Sequence, residues 1–524
     1  MRTYNSSVDG VVIQYLEYVP AGYVPTRPYP VLAYLHGGGG TMNSIPSDIL
    51  ASADVYQYIV VSINGRSLYP SGTRPSALYF NSPITGPGEQ DVLDMLADVK
   101  RLRLIDDARV YLAGFSKGGW GTWGIALRNP GIFAAIAPAS APTDGHYVPE
   151  LHDFNTALGG APSSTDPVVI SRWRMIGARW LIDNAMNTPV HAFHGDLDKA
   201  ANNVPTSSSG QPQYAHAHHV IDLPGWVDEW GQAVTLLELA QQYPGYYIGE
   251  GTWVPTAGHS ADAAIEPPSI MFEFFNQHTL DPSPLQIAFK TYEDEHTRAY
   301  WGQIEIANPW STEFGAFRAS RDALGNSLSV ELSRVAKATF DLPRAELTVA
   351  PGNTFTLLLA TTAPLTTTIV LNDDLTNVAN ATVLRDGTPV TAGLVNLTDT
   401  TISIGPLTVD APTVLTIWTT SPTTDAEPPA APARFRLRLA GPNPAPDGPG
   451  SAVAFDVPAA SLVRVEVFDV RGRRLGTLYD GVAQPGTYVL GVPGAIARGA
   501  RGGVCFVRMK AGDFEAVQRI VLVP

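Results

Sequence analysis

The chain of 524 residues has one cysteine, Cys505, so no disulfide forms within it. No stretch approaches the roughly 18 apolar residues of a membrane-spanning helix. Charge is sparse at 16%, and bases are in deficit: 34 Lys and Arg against 49 Asp and Glu give a formal net charge of −15. Such a surface repels polyanions, which argues against a nucleic-acid partner. The opening residues, Met1-Arg-Thr-Tyr-Asn-Ser-Ser7, contain no apolar signal region. The expectation is a cytosolic protein, or an exported one whose signal has been removed.

What is abundant is glycine (48) and proline (44), alongside 44% hydrophobic residues, a mixture that favours many turns and short strands. Single cores stop growing near about 250–300 residues, so several domains are expected. The front third alternates apolar runs with helical patterns. Val31–Leu35, Tyr58–Ile63, Arg109–Ala113, Phe133–Ala137 and Val190–Phe193 read as strands. Glu89–Arg103 places Val92, Leu93, Leu96, Val99 and Leu102 on one helical face, and Ser116–Arg128 reads as a second helix. Helical patterns also cover Val168–Asn184 and Ile270–Gln277. This alternation predicts an α/β domain, a mostly parallel sheet with helices on both faces, over residues 1–283.

Beyond about Pro282 the pattern changes to short alternating, Thr-rich segments, which predicts an all-β sandwich over 284–420. Residues 421–433 are rich in Pro, Ala and Thr and read as a linker. A second, smaller β-sandwich is expected over 434–524, where 12 basic residues outnumber 7 acidic ones. Cys505 lies there in an alternating Gly-Val-Cys-Phe-Val segment and reads as a buried structural thiol.

The motif with chemical content is Gly114-Phe-Ser116-Lys-Gly118. A serine on a tight strand-to-helix turn needs small residues two positions to either side, and the helix N-terminus behind it favours developing negative charge. Upstream, His36-Gly37-Gly38-Gly39-Gly40 ends a strand, and its glycines allow backbone N–H groups to face a substrate carbonyl. The expected oxyanion donors are the amides of Gly38, Gly39 and Lys117. Downstream, Val190–Gly195 runs into Asp196-Leu-Asp198, and Gly258-His259 follows later. The order Ser, Asp, His is the one α/β-hydrolases use. Ser116 is the expected nucleophile, His259 the base and Asp198, preferred to Asp196, the acid. His191 and His194 read as structural, and His278 as solvated. Trp120 and Trp123 suit core packing, whereas Trp226, Trp230 and Trp253 are candidate walls of a substrate site. The cluster His216, His218, His219 lacks close carboxylate or thiolate companions, so no metal is assigned, and acyl transfer of this kind needs no cofactor.

Four segments, Leu35-His-Gly-Gly-Gly-Gly, Ala113–Trp123, Pro189–Asp198 and Ala257-Gly-His, resemble secreted bacterial esterases of the prolyl-oligopeptidase-like group, which includes feruloyl and acetyl-xylan esterases and polyhydroxybutyrate depolymerases. The resemblance covers about the first 280 residues and implies the α/β-hydrolase fold and the same triad. Lys117 departs from it, standing where that group more often has Met or Gln. Gly441-Pro-Asn-Pro, Phe468–Arg474, Gly486-Thr-Tyr and Gly503–Arg508 resemble the immunoglobulin-like C-terminal sorting domain of type IX-secreted proteins. That implies export by the secretion machinery of a Gram-negative outer membrane, with release or attachment at the cell surface.

The expected activity is therefore hydrolysis of a small-molecule or polymeric carboxylic ester through an acyl-enzyme, on plant-wall or other aromatic esters. A polyester depolymerase, a serine peptidase on the same fold and a non-catalytic surface-binding protein are the alternatives. The ester is favoured over the peptide because no propeller-like pattern precedes the hydrolase segments.

Overall fold

The segment Tyr29-Pro-Val-Leu-Ala-Tyr-Leu35 is buried at every position, as a central strand covered on both faces must be. In the computed structural model it forms the middle of an eight-stranded sheet. The structure describes residues 1–66, 79, 81–82, 86–143, 158–161, 163–195, 198, 221, 235–260, 265–421, 432–440, 445–446, 452–483, 486–491 and 504–523.

The sheet consists of β1 (Arg2–Asn5), β2 (Val12–Tyr18), β3 (Tyr29–Leu35), β4 (Ile59–Ile63), β5 (Ile105–Phe115), β6 (Ala135–Ala139), β7 (Val190–Gly195) and β8 (Gly249–Val254). Their spatial order is β1-β2-β4-β3-β5-β6-β7-β8. The first two strands are antiparallel to their neighbours and the rest are parallel. This is the α/β-hydrolase arrangement.

Side chains alternate between two cores, as a period of two requires. Val31, Ala33 and Leu35 enter the larger core with Val92, Met95, Leu96 and Val99 of α2 (Gly88–Leu102) and Trp123, Ile125 and Leu127 of α3 (Lys117–Arg128). Leu32 and Tyr34 enter the opposite core with Ile49 and Ala53 of α1 (Ser47–Tyr56) and Met271, Phe272, Phe274 and Phe275 of the closing helix Ser269–Asn276. Leu102, expected on the apolar face of α2, is the exposed last residue of that helix.

The inserted helix α4 (Pro167–Ile176) starts from Asp166, whose side chain caps the Val168 amide. It is fixed to α3 through Trp120, whose indole N–H donates to the Ile176 carbonyl, and through Trp173, whose ring centroid lies 6.1 Å from that of Trp120.

From Gln286 to Thr420 the chain forms a sandwich of a seven-stranded and a six-stranded sheet around one core. Both sheets contain a parallel pair, Ser327–Ser333 with Thr354–Thr361 and Val335–Asp341 with Leu365–Asn372. The last module, from Arg436 to Val523, packs three- and five-stranded sheets around a core that contains the buried Cys505.

The first sandwich strand, Gln286–Thr291, is shared property. Ala288 and the adjoining Tyr292 belong to the larger hydrolase core rather than to the sandwich core. Asn184, fully buried, donates to the carbonyls of both Leu127 and Lys290 and accepts from the Lys290 amide. Beside it the buried Glu89 of α2 is ion-paired with Arg128 and with His296, and His296 also hydrogen-bonds Glu293. The sandwich therefore closes over the C-terminal end of α3, whose N-terminal end carries the chemistry.

Candidate active site

β5 ends at Phe115 and α3 begins at Lys117. Ser116, between them, has φ 56° and ψ −118°, a conformation that side-chain-bearing residues rarely adopt. The turn is this sharp because its flanking glycines permit it. A Cβ on Gly114 would lie 2.4 Å from the Gly118 carbonyl oxygen, and one on Gly118 would lie 2.0 Å from that of Leu35. The Ser116 amide donates to the Ala139 carbonyl, which ties the turn to the end of β6.

Two hydrogen bonds join three residues that lie far apart in the chain. His259 Nε2 is 2.8 Å from Ser116 Oγ, and His259 Nδ1 is 2.8 Å from Asp198 Oδ2. A carboxylate oxygen only accepts, so Nδ1 carries the proton and Nε2 presents a lone pair to the serine hydroxyl. Asp198 is fully buried at the end of β7, its amide bonded to the Gly195 carbonyl, while the His259 side chain is 30% exposed. The close approach of the two loops is again a glycine matter: a Cβ on Gly195 would lie 2.3 Å from the Ala257 carbonyl oxygen. The buried carboxylate on Nδ1 fixes the ring's orientation and tautomer, with Nε2 directed at the serine hydroxyl.

The glycine loop lies against the same serine. A Cβ on Gly37 would meet the Phe115 ring at 3.0 Å and Ser116 Cβ at 3.3 Å, and Gly39 has φ +77°. His36 is buried, its Nδ1 is 2.8 Å from the Gly37 carbonyl, and burial lowers its basicity more than that carbonyl restores it. The carbonyl only accepts, so the neutral ring donates from Nδ1 and braces the loop. The Lys117 amide is in the first turn of α3, where a backbone N–H has no acceptor earlier in its own helix.

The other expected residues divide three ways. Trp120 and Trp123 are buried in packing. Trp253 is half-buried against the larger core with its indole over Gly251, which gives it a packing role rather than an evident position in a substrate wall. Trp226, Trp230, Asp196 and the cluster His216, His218 and His219 lie outside the described residues. His278 departs from expectation: its ring packs edge-on against Phe274, centroids 4.5 Å apart, its carbonyl accepts from Tyr111, and burial lowers its basicity. His191 and His194 are both buried on β7, and His194 Nε2 stands 3.7 Å from Asp198.

Phe115 is the residue that sequence reasoning passed over. Its ring centroid lies 4.8 Å from that of His259, so the variable position of the serine motif supports the imidazole. Nothing in the sequence distinguishes that phenylalanine from an ordinary strand residue.

Among the described residues one group brings three possible metal-ligand atoms together, Glu293, Glu295 and His296. Burial would lower the basicity of His296, but the Glu89 charge and the Glu293 hydrogen bond outweigh it and raise its pKa to about 10. A doubly protonated ring has no lone pair for a metal. No described helix is long and apolar enough to cross a membrane.

Fold and site together define a class: an α/β-hydrolase whose half-buried elbow serine is hydrogen-bonded to a histidine and, through it, to a buried aspartate. No family model matches the chain. A 157-residue stretch, 28% of the chain, is 26% identical to "Probable dipeptidyl-aminopeptidase B" of Penicillium rubens and covers 17% of that protein. A similar stretch is 29% identical to the protein of the same description from Aspergillus clavatus, again over 17% of its length. The chain thus spans about a sixth of the length of these curated relatives. Among solved structures, S-formylglutathione hydrolase of Agrobacterium tumefaciens is similar over 53% of this chain and 89% of its own, with 17% identity and a TM-score of 0.37. Dipeptidyl peptidase 4 of Porphyromonas gingivalis is similar over 53% of this chain and 35% of its own, with 15% identity and a TM-score of 0.37. These neighbours are serine hydrolases, esterases on one side and peptidases on the other.

Proposed function

We propose that this chain is a serine hydrolase that cleaves a carboxylic ester through an acyl-enzyme on Ser116. The reading is carried by one observation, the continuous hydrogen-bonded chain Ser116–His259–Asp198. His259 Nε2 takes the hydroxyl proton as Ser116 Oγ attacks the acyl carbon. Asp198 holds the Nδ1–H and stabilises the imidazolium. The amides of Lys117 and of Gly38 or Gly39 receive the oxyanion. His259 returns the proton to the leaving alkoxide, and the alcohol departs. Water, deprotonated by His259, then attacks the acyl-enzyme and regenerates Ser116.

The acyl and alcohol parts proposed are those of plant-wall, aromatic or polymeric esters, in line with the four sequence segments quoted above. The C-terminal module is proposed to direct export to the surface of a Gram-negative cell. A second reading, peptide-bond hydrolysis, has its own support in the local identity to dipeptidyl-aminopeptidases. The same machinery serves both reactions, because only the leaving group differs.

The test is hydrolysis of p-nitrophenyl acetate through decanoate, methyl ferulate and dipeptidyl p-nitroanilides by the wild type and Ser116→Ala. Ester turnover that the substitution abolishes supports the ester reading. Turnover of anilides alone transfers the proposal to peptides. Failure of every substrate, with no labelling of Ser116 by a fluorophosphonate, would sink both and leave the binding-protein reading.

A further inference from the structure

A sandwich loop, residues 307–314, reaches back to the hydrolase domain. Trp310 stands in it with φ 59°, the left-handed region that favours glycine, so its surroundings hold it there. Its amide donates to the Tyr292 carbonyl at 2.7 Å and its indole N–H to Asp294 Oδ1 at 2.8 Å. Its ring faces Arg172 of α4, whose guanidinium carbon lies 5.6 Å from the ring centroid. Two positions on, the Thr312 carbonyl accepts from Arg174, and Met175 Sδ accepts from the Tyr292 amide at 3.3 Å. The other side of α4 faces α3: Val169, Trp173 and Ile176, at helical spacing, form a small core with Leu158 and Trp120. The Trp120 amide in turn donates to the Ser116 carbonyl at 2.9 Å. The insertion that carries α4 leaves the sheet after Ala139, which accepts the Ser116 amide, at the carboxyl edge where parallel sheets bind ligands.

We infer that α4 is one wall of the acyl cleft and that Trp310 is its positioning residue, so that the sandwich sets the length of acyl chain Ser116 accepts; the inference rests on Ser116 being the nucleophile. A short acyl group is held at the elbow and by the oxyanion amides alone. A long one runs along α4 and gains from it only if the helix is already in place, because ordering a loose wall on binding offsets the contacts it offers. Arg172 transmits the position: its guanidinium faces the Trp310 ring and also donates to the Leu158 carbonyl at 3.3 Å, inside the small core beside Trp120. The indole and the guanidinium touch no reacting atom, so their effect is on chain-length selectivity and not on the chemical step.

The test uses the whole chain and two fluorophosphonates that differ only in the alkyl group on phosphorus, methyl in one and decyl in the other. In each, Ser116 Oγ bonds to phosphorus, fluoride leaves, and the serine proton passes to His259. The readout is the ratio of the two labelling rates, decyl over methyl, which a general loss of activity leaves unmoved. Trp310→Gly removes the indole while relieving the backbone at its positive φ, and is expected to lower the ratio roughly tenfold, the worth of about two methylene contacts. Arg172→Met, which keeps the stem and removes the guanidinium, is expected to lower it in the same direction and carries the test if the glycine variant does not fold. Trp310→Phe keeps a ring beneath Arg172 and is expected to hold it. A ratio unchanged in Trp310→Gly and Arg172→Met, or lost equally in Trp310→Phe, overturns the inference. Failure of both probes to label wild-type Ser116 refutes the nucleophile assignment instead.

Discussion

Replacing His296 with alanine removes a sandwich side chain and should destabilise the hydrolase domain. In the folded chain, burial alone would raise the pKa of Glu89, but the Arg128 and His296 charges and the hydrogen bonds from His296 and Asn129 hold it at about 2 instead of 4.5. At 1.36 kcal/mol per pH unit that difference corresponds to about 3 kcal/mol. The folded pKa of Glu89 is depressed, so its contribution is present above 4.5 and lost as pH falls toward about 2. The folded pKa of His296 is raised from 6.5 to about 10, so its contribution is complete below 6.5 and lost as pH rises through about 10. Both gains describe the same contacts and are not summed. The wild type should therefore be most stable near pH 5–6.5 and weaken toward both extremes. The variant leaves Glu89 buried with Arg128 as its remaining charged partner, a loss of about 3 kcal/mol. It should also lack the alkaline decline between about pH 7 and 10 that belongs to His296. Thermal unfolding of both proteins from pH 4 to 10 decides the matter. Equal midpoints and parallel pH profiles would refute the reasoning.

Three other outcomes are expected. Gly118→Ala, whose new methyl would lie 2.0 Å from the Leu35 carbonyl oxygen, should prevent the elbow from forming, seen as insoluble protein or loss of fluorophosphonate labelling; a soluble, normally labelled variant would contradict the packing argument. Asp198→Asn should keep the fold and lower kcat by about three to four orders of magnitude with little change in KM, because the amide favours the wrong imidazole tautomer; a loss under tenfold would assign the acid elsewhere. Truncation after Pro282 removes Ala288 and Tyr292 from the larger core and the Lys290 backbone from Asn184, and should yield an unstable domain, whereas truncation after Ser421 should leave a folded, active one; equal solubility and melting of the two would show the sandwich to be dispensable.

How much of this was legible beforehand follows from where each signal resides. Apolar runs such as Val31–Leu35 and Ile59–Ile63 are local, and burial on both faces leaves them no alternative to a central strand. The serine motif is also local, since its glycines act within two residues of Ser116. The position of Asp198 at the end of β7 and of His259 after β8 followed from chain order in a parallel sheet, where loops at the C-terminal strand ends share one edge.

The sequence by itself thus determined the layer order, the strand-to-helix elbow and the residue types at the site, because each depends on periodicity or on steric demands within a few residues. The tertiary structure alone decided that Phe115 supports His259, that Lys117 lies across Gly38, and that Gln286–Thr291 is held jointly by two domains. The Glu89–His296 pair makes the reason plain. Its partners are separated by 207 positions, and neither carries a pattern of its own. Only burial, which makes each charge intolerable without the other, turns two ordinary polar residues into the joint between domains.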